Sequence, residues 1–420
     1  MARETGNIKL KAARQHAGYA SQQALVDALA RAGLDLGITD AEVSLRQVRR
    51  WESPTPPWPH ATHQRLLEHT LGLPMDQLGF TPPWGAQAER ASAPVRAGQG
   101  ATMPLPLPSP GSGTQPASIA LDYANVTRSH RRLYWRVQPP TIRAAVAEHA
   151  RLGLQLLSEM SGAPRQTLAA ALAESLLLVG RIDFFDLRQP DDAEGRFVEA
   201  LQAAGAADNQ LLGSAILAHS AFVPGWAGER DSAAERLRAA RVYARRAEGV
   251  PDQFTAWLHA VEAECETRCG KHREALKAIG RGEEALGEGA DVALPEWFDW
   301  FSPVRLAAFK GNTQLKAGHL PQARETLLQV LGQLSDEARK QRTVVLGDLA
   351  AVEAAEGNPE AACARAIEAL DQLAVTWYAA GMERLRDLRR SMDQWSELDC
   401  VMELDNRLYE WRTTVNALQR

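Results

Sequence analysis

Between Ala193 and Ala369 one spacing of small and apolar residues recurs five times, and no other feature of the chain restricts its fold as tightly. A small residue is followed four positions later by a small or apolar one, and three after that by another: Ala193/Phe197/Ala200, Ala233/Leu237/Ala240, Ala275/Ile279/Gly282, Ala323/Leu327/Val330 and Ala362/Ala366/Ala369. Steps of four and three place the three positions on one stripe of a helix. Twelve residues before the leading alanine stands a second small residue in four units, namely Ala221, Ala263, Gly311 and Ala350; the first unit has Arg181 there, with Gly180 beside it. Small residues at matched places let two helices of a hairpin approach closely, and hairpins that cannot bury their faces alone stack into a continuous core. From Ser118 onward the chain is rich in Ala and Leu with helical periodicity, and nothing reads convincingly as a strand. The expected fold is all-α.

These spacings resemble those of the second helix of a tetratricopeptide (TPR) unit, which implies a TPR-like α-solenoid with a concave surface over 118–420. Successive leading alanines are 40, 42, 48 and 39 residues apart, longer than the roughly 34 of a standard unit. Each unit therefore has longer helices or loops.

Ahead of the repeats, eight prolines with Gly, Ala and Ser lie between Thr81 and Pro116. That composition builds neither helix nor sheet, so 81–117 reads as a semi-extended linker. Before it, 1–80 reads as a small helical bundle: a helix from Ile8 to Ala17 ended by Gly18, a second opened by Ser21 as N-cap, and another from His63 to Leu71 followed by Gly72. Between them, Ser44 to Glu52 reads as a short capped helix. The Ser44 hydroxyl caps the amide of Gln47, whose side chain reaches back, and Val43 and Val48 take the hydrophobic-staple positions. Leu45, Val48 and Trp51 fall near one face, leaving Arg46, Gln47, Arg49 and Arg50 on the wet sides. Arg and Gln make paired hydrogen bonds to guanine and adenine edges in the major groove. A rival start lies at Thr39, whose spacing to Glu42 also makes a capping box; one longer helix would then run through Val43 and Ser44.

Arg14 before Gly18, Ser21-Gln22 opening helix two and Arg50-Trp51-Glu52 closing helix three together resemble the phage-repressor-like (XRE) helix-turn-helix family, with the tail Leu71-Gly72-Leu73-Pro74 similar to its actinobacterial members. The resemblance implies a DNA-backbone contact for Gln22, base contacts for Ser44, Arg46, Gln47 and Arg50, and a structural salt bridge between Arg14 and Glu52. Arg49 joins the DNA-facing set by its position on the helix. One departure is the 22 positions between Gln22 and Ser44, where the family usually has about ten; Arg31 to Asp40 reads as a lengthened helix two and a loop. Over roughly 1–80 and 120–415 the chain resembles actinobacterial regulators that join a helix-turn-helix to TPR-like repeats, on Arg131-Arg132-Leu133-Tyr134-Trp135, Ala263-Glu264, Pro295-Glu296-Trp297, Gly311-Asn312 and Arg384-Leu385-Arg386-Asp387-Leu388 as well.

Charge is divided along the chain. The net −5 resolves into +1 for 1–80, +1 for 81–117 and −7 for 118–420. The head is nearly neutral with its arginines gathered at 46–50, so non-specific affinity for DNA should be modest and readily lost with salt. No apolar run is long enough to cross a bilayer and the N-terminus lacks a signal-peptide core, which makes the cytoplasm the expected compartment and a membrane no partner. The four cysteines are too sparse for a disulfide framework. Cys265, Cys269 and His272, at helical spacing, would share a face, but with no fourth ligand nearby no metal is expected.

No phosphate-binding loop, dinucleotide fingerprint, metalloprotease motif or nucleophile elbow occurs, so neither an enzyme nor a cofactor is expected. Asp183 and Asp186 read as solvated carboxylates near a helix end. In Pro295-Glu296-Trp297-Phe298-Asp299-Trp300-Phe301, helical spacing puts Trp297 with Trp300 and Phe298 with Phe301; with Trp226 and Trp257 these form a candidate effector groove, or fill an elongated repeat. The expectation is a sequence-specific regulator binding double-stranded operator DNA as a homodimer, whose repeats mediate self-association and receive a peptide, small-molecule or protein effector. A peptide is implied by resemblance to HTH-TPR sensors of other Gram-positive bacteria. The alternative is a TPR-type interaction scaffold with a degenerate helix-turn-helix.

Overall fold

In the computed structural model, which describes residues 6–36, 38, 43–54, 56–73, 75, 77–80, 115–287 and 292–418, every regular element is helical. The fold is all-α, in two compact units, Met1–Ala101 and Thr102–Arg420. No described helix is long and apolar enough to cross a membrane.

The first unit holds α1 (Ile8–His16), α2 (Gln22–Asp35), α3 (Leu45–Trp51) and α4 (Ala61–Leu71). Asn7 and Ser21 cap α1 and α2 by accepting from the Leu10 and Ala24 amides, and α4 stops at Gly72, whose left-handed φ of 66° favours glycine. Leu10, Leu25, Leu29, Val48, Trp51, Leu66 and Leu67 form the core. Ser44 is extended and its Oγ accepts from the Gln47 amide at 3.3 Å, so α3 begins at Leu45 and no helix runs through Val43 and Ser44. The Thr39–Glu42 box lies outside the described residues. The reciprocal half of the Ser44 box is not made: Gln47 Nε2 lies 3.4 Å from His63 Nδ1 on α4, whose ring packs edge-on to Trp51. Of the 81–117 linker, 81–114 lies outside the described residues.

The second unit opens with α5 (Ser118–Tyr134) and α6 (Pro139–Leu157). The repeat hairpins follow: α7 (Gly162–Arg181) with α8 (Pro190–Ala206), α9 (Gln210–Trp226) with α10 (Arg230–Ala244), α11 (Asp252–Arg268) with α12 (His272–Gly287), α13 (Pro303–Lys316) with α14 (Leu320–Gln333), and α15 (Arg339–Ala355) with α16 (Pro359–Val375). The unit closes with α17 (Ala379–Ser391) and α18 (Asp399–Leu418). First helices stack in series, α9 on α11, α11 on α13 and α13 on α15, giving the solenoid that the repeat spacing implies.

All five leading alanines are buried, on the second helix of each hairpin. The matched small residues sit where the partner helix comes closest. A Cβ on Gly311 would lie 2.6 Å from the Leu327 side chain, and one on Gly180 would lie 2.6 Å from the Phe197 ring. In the first hairpin Gly180 therefore fills the small position, and Arg181 is turned elsewhere.

Two helical readings fail. The aromatic segment is not a helix: 295–301 forms a turn at 296–297 and irregular backbone beyond it, bracketed by Pro295 and Pro303. Its four rings are nonetheless buried; this insertion between α12 and α13 produces the 48-residue spacing. Cys265, Cys269 and His272 share no helical face either, because α11 ends at Arg268, Gly270 turns the chain at φ 70°, and His272 opens α12.

Candidate functional site

In the first unit the site is the outer face of α3. Val48 and Trp51 hold the helix to the core, while Ser44, Arg46, Arg49 and Arg50 are exposed and Gln47 is half-buried. None of the three arginine side chains has a hydrogen-bond or ion-pair partner among the described residues.

The inner end of the helix is clamped. Arg14 Nε donates to Glu52 Oε1 at 2.7 Å, both side chains being buried, and Arg14 Nη1 donates to the Tyr19 and Ala20 carbonyls. Gln22 Nε2 donates to Glu52 Oε2 at 2.6 Å. The free half of the Glu52 carboxylate thereby holds the Gln22 amide nitrogen and ties the start of α2 to the end of α3. Asn7, which sequence reasoning missed, donates from Nδ2 to the carbonyls of Trp51 and Leu78, tying α1 to the end of α3 and to the tail. An N-cap asparagine is legible in sequence, but its two long-range acceptors are not. His63, beside Gln47, has its pKa lowered by burial and by His60, so it is held as the neutral ring that can accept from Gln47.

In the second unit the first helices of successive hairpins enclose a cavity of about 90 Å³. Trp226, Trp257 and Trp300 line it, joined by Trp135, Phe185 and Phe222. Trp297 does not: although its ring stacks on that of Trp300 at 5.7 Å, it lines a small adjoining recess with Arg131 and Glu174, which shares Arg181 and Trp300 with the larger cavity. There burial raises the Glu174 pKa to about 7, against the opposing pull of Arg131.

Ion pairs close the wall of the cavity. Lys340 Nζ lies 2.7 Å from Asp186 Oδ1, both fully buried, and donates to the Tyr134 carbonyl at 3.1 Å. Tyr134 Oη donates to Asp186 Oδ2, and Trp377 Nε1 to the Asp186 carbonyl. Burial pushes Asp186 up and Lys340 down, and each charge resists the shift of the other. Arg384 pairs with Asp348 at 2.8 Å, and Asn312 donates to the same carboxylate.

The solvated reading of Asp183 and Asp186 is therefore wrong. Both are fully buried in a π-helical turn at Ile182–Asp186, Asp183 being held by Arg143 at 2.5 Å. Their place in the apolar run 176–187 was the available signal, since a carboxylate inside a core must be paired. Arg181, just before that turn, also lines the cavity; His219 faces it as a neutral ring, its pKa lowered by burial and by Arg181.

No family model matches the chain, and no curated protein matches it. Among solved structures it is similar to the crystal structure of BtubC (BKLC) from P. vanneervenii, at 16% identity and a TM-score of 0.40, over 57% of this chain and 92% of that one.

Proposed function

We propose that the chain is a sequence-specific, DNA-binding transcriptional regulator. It reads the major groove with α3, acts as a homodimer in the cytoplasm, and receives an effector in its repeat domain. One observation carries the reading: Arg46, Arg49 and Arg50 are exposed and unpartnered on a helix whose inner end is held by a buried cluster of Glu52, Arg14 and Gln22. A rigid mount with free guanidinium groups is what bidentate recognition of base edges and phosphates requires. One small head covers little DNA, so two copies on half-sites about one helical turn apart supply the affinity.

The test is a gel-shift and footprinting series with the full chain on the DNA upstream of its own gene. A protected, sequence-preferred site is expected, and Arg50→Ala should weaken it by about 1–3 kcal/mol while relaxing base preference at one position. Equal weakening on every sequence would make Arg50 a phosphate contact. If no sequence is preferred over bulk DNA, the regulator reading fails and the repeats become the working part of an interaction scaffold.

A further inference from the structure

We propose that the repeat-domain cavity binds a carboxylate-bearing ligand with a flat apolar body, and that Arg181 is its anchor. Most charges at the cavity wall are matched. Lys340 is matched by Asp186, and Arg384 by Asp348, with Glu264 at 4.0 Å on its other side. Glu264 is itself held by Arg268 at 3.0 Å.

No acid comes within ion-pairing distance of Arg181. It is only 6% exposed, yet no hydrogen bond or ion pair among the described residues reaches its guanidinium, and its Nε is buried without an acceptor. Asp186 and Asp299 feel its charge, but neither lies within ion-pairing distance. Three rings surround it, with centroids at 4.5 Å for Trp300, 5.2 Å for Tyr134 and 5.9 Å for Trp135. They account for the tolerance of a buried cation but leave the directed N–H donors unmet. The indole Nε1 atoms of Trp300 and Trp226, which also line the cavity, are likewise buried donors without an acceptor.

The cavity thus presents a buried guanidinium without an ion-pair partner, and three unmet donors in all among aromatic rings. A carboxylate fits the guanidinium fork bidentately, and a flat body stacks on the tryptophans. The volume of about 90 Å³ is less than the roughly 150 Å³ that admits benzene in an engineered cavity. It therefore takes the head and a short part of the body; Arg305, also on the lining, is half-buried and without an acid partner among the described residues. The head chemistry is shared by free aryl acids and by the C-terminus of a short aromatic peptide.

This inference rests on the reading of the repeats as the effector domain. It is tested without DNA, so its failure and that of the DNA reading are distinguishable. Intrinsic tryptophan fluorescence and calorimetry on the full chain would be followed with benzoate, with benzamide as its neutral isostere, and with the dipeptide Ala-Phe. Saturable binding of benzoate at least about tenfold tighter than benzamide is expected, falling by a similar factor in Arg181→Met. Trp300→Phe, which keeps a ring but removes the N–H, should lose less, and it serves in place of Arg181→Met if that variant does not fold. Tighter binding of Ala-Phe with the same dependence on Arg181 supports the site and assigns its source to peptides. Equal binding of benzoate and benzamide, no saturable binding of either acid, or unchanged affinity in a folded Arg181→Met protein would overturn the proposal.

Discussion

The head and the repeat domain treat their cations in opposite ways. In the head one arginine, Arg14, is turned inward onto Glu52, while the three on α3 face solvent without partners. In the repeat domain the inward cations are matched by acids from distant helices: Lys340 by Asp186, Arg143 by Asp183 and Arg384 by Asp348; Arg181 is the exception. A paired cation reports how helices are joined, whereas an unpaired one held on a rigid element reports a surface or cavity awaiting a negative charge. The same distinction separates a head of net charge +1, with three arginines gathered at 46–50, from a net −7 dispersed over 118–420.

The comparison breaks most sharply at Lys340. Lys340→Met leaves Asp186 buried beside Tyr134 with no counter-charge, and should cost the repeat domain about 3–5 kcal/mol in urea unfolding. Adding Asp186→Asn should return much of that, because the loss comes from the orphaned carboxylate more than from the missing attraction. If the single variant is as stable as the parent, the pair does not hold the fold closed.

Acid should act on the same domain through His149, which stacks on Tyr123 at 3.8 Å and lies 2.9 Å from the Thr127 hydroxyl. Burial, helped by the nearby His130, lowers its pKa from 6.5 to about 4. The neutral ring is favoured in the fold, so its contribution is present above pH 6.5 and is lost as pH falls through 4. Discounted for partial solvent screening of the ring, a loss on the order of 1–2 kcal/mol is expected across that window. His149→Gln should flatten the dependence, and an unchanged acid profile would remove His149 as its cause.

Comparable and smaller effects sharpen the contrast. Gly180→Val drives a side chain into Phe197 and should cost about 1–3 kcal/mol, read as a lower melting temperature. Arg50→Ala, on the exposed face of α3, should leave melting unchanged within about 0.5 kcal/mol, its cost being confined to DNA affinity. A stability loss in Arg50→Ala comparable to that of Gly180→Val would mean that the α3 arginines are structural after all.

How far the sequence could be read follows from the range of each interaction. The leading alanines and the Gly311 contact were legible because helix approach is coded by residue size at fixed local spacing. The α3 cap was legible because Ser44 and Gln47 are three residues apart. The aromatic segment misled because helical spacing was imposed on residues bracketed by two prolines, which break the helix. Asp183 and Asp186 misled because charge was read as exposure, although their partners come from other helices.

The sequence by itself determined the all-α class, the order and phase of the hairpins, and which face of α3 carries arginine, since these depend on contacts within one or two turns of a helix or on residue size. Only the tertiary structure decided that Gln22 supports Glu52, that Asp186 meets Lys340, whose ammonium also reaches the Tyr134 carbonyl 206 residues away, and that Arg181 is left over. Those outcomes depend on which helices come together, and charge balance in a buried space is a property of everything that surrounds it.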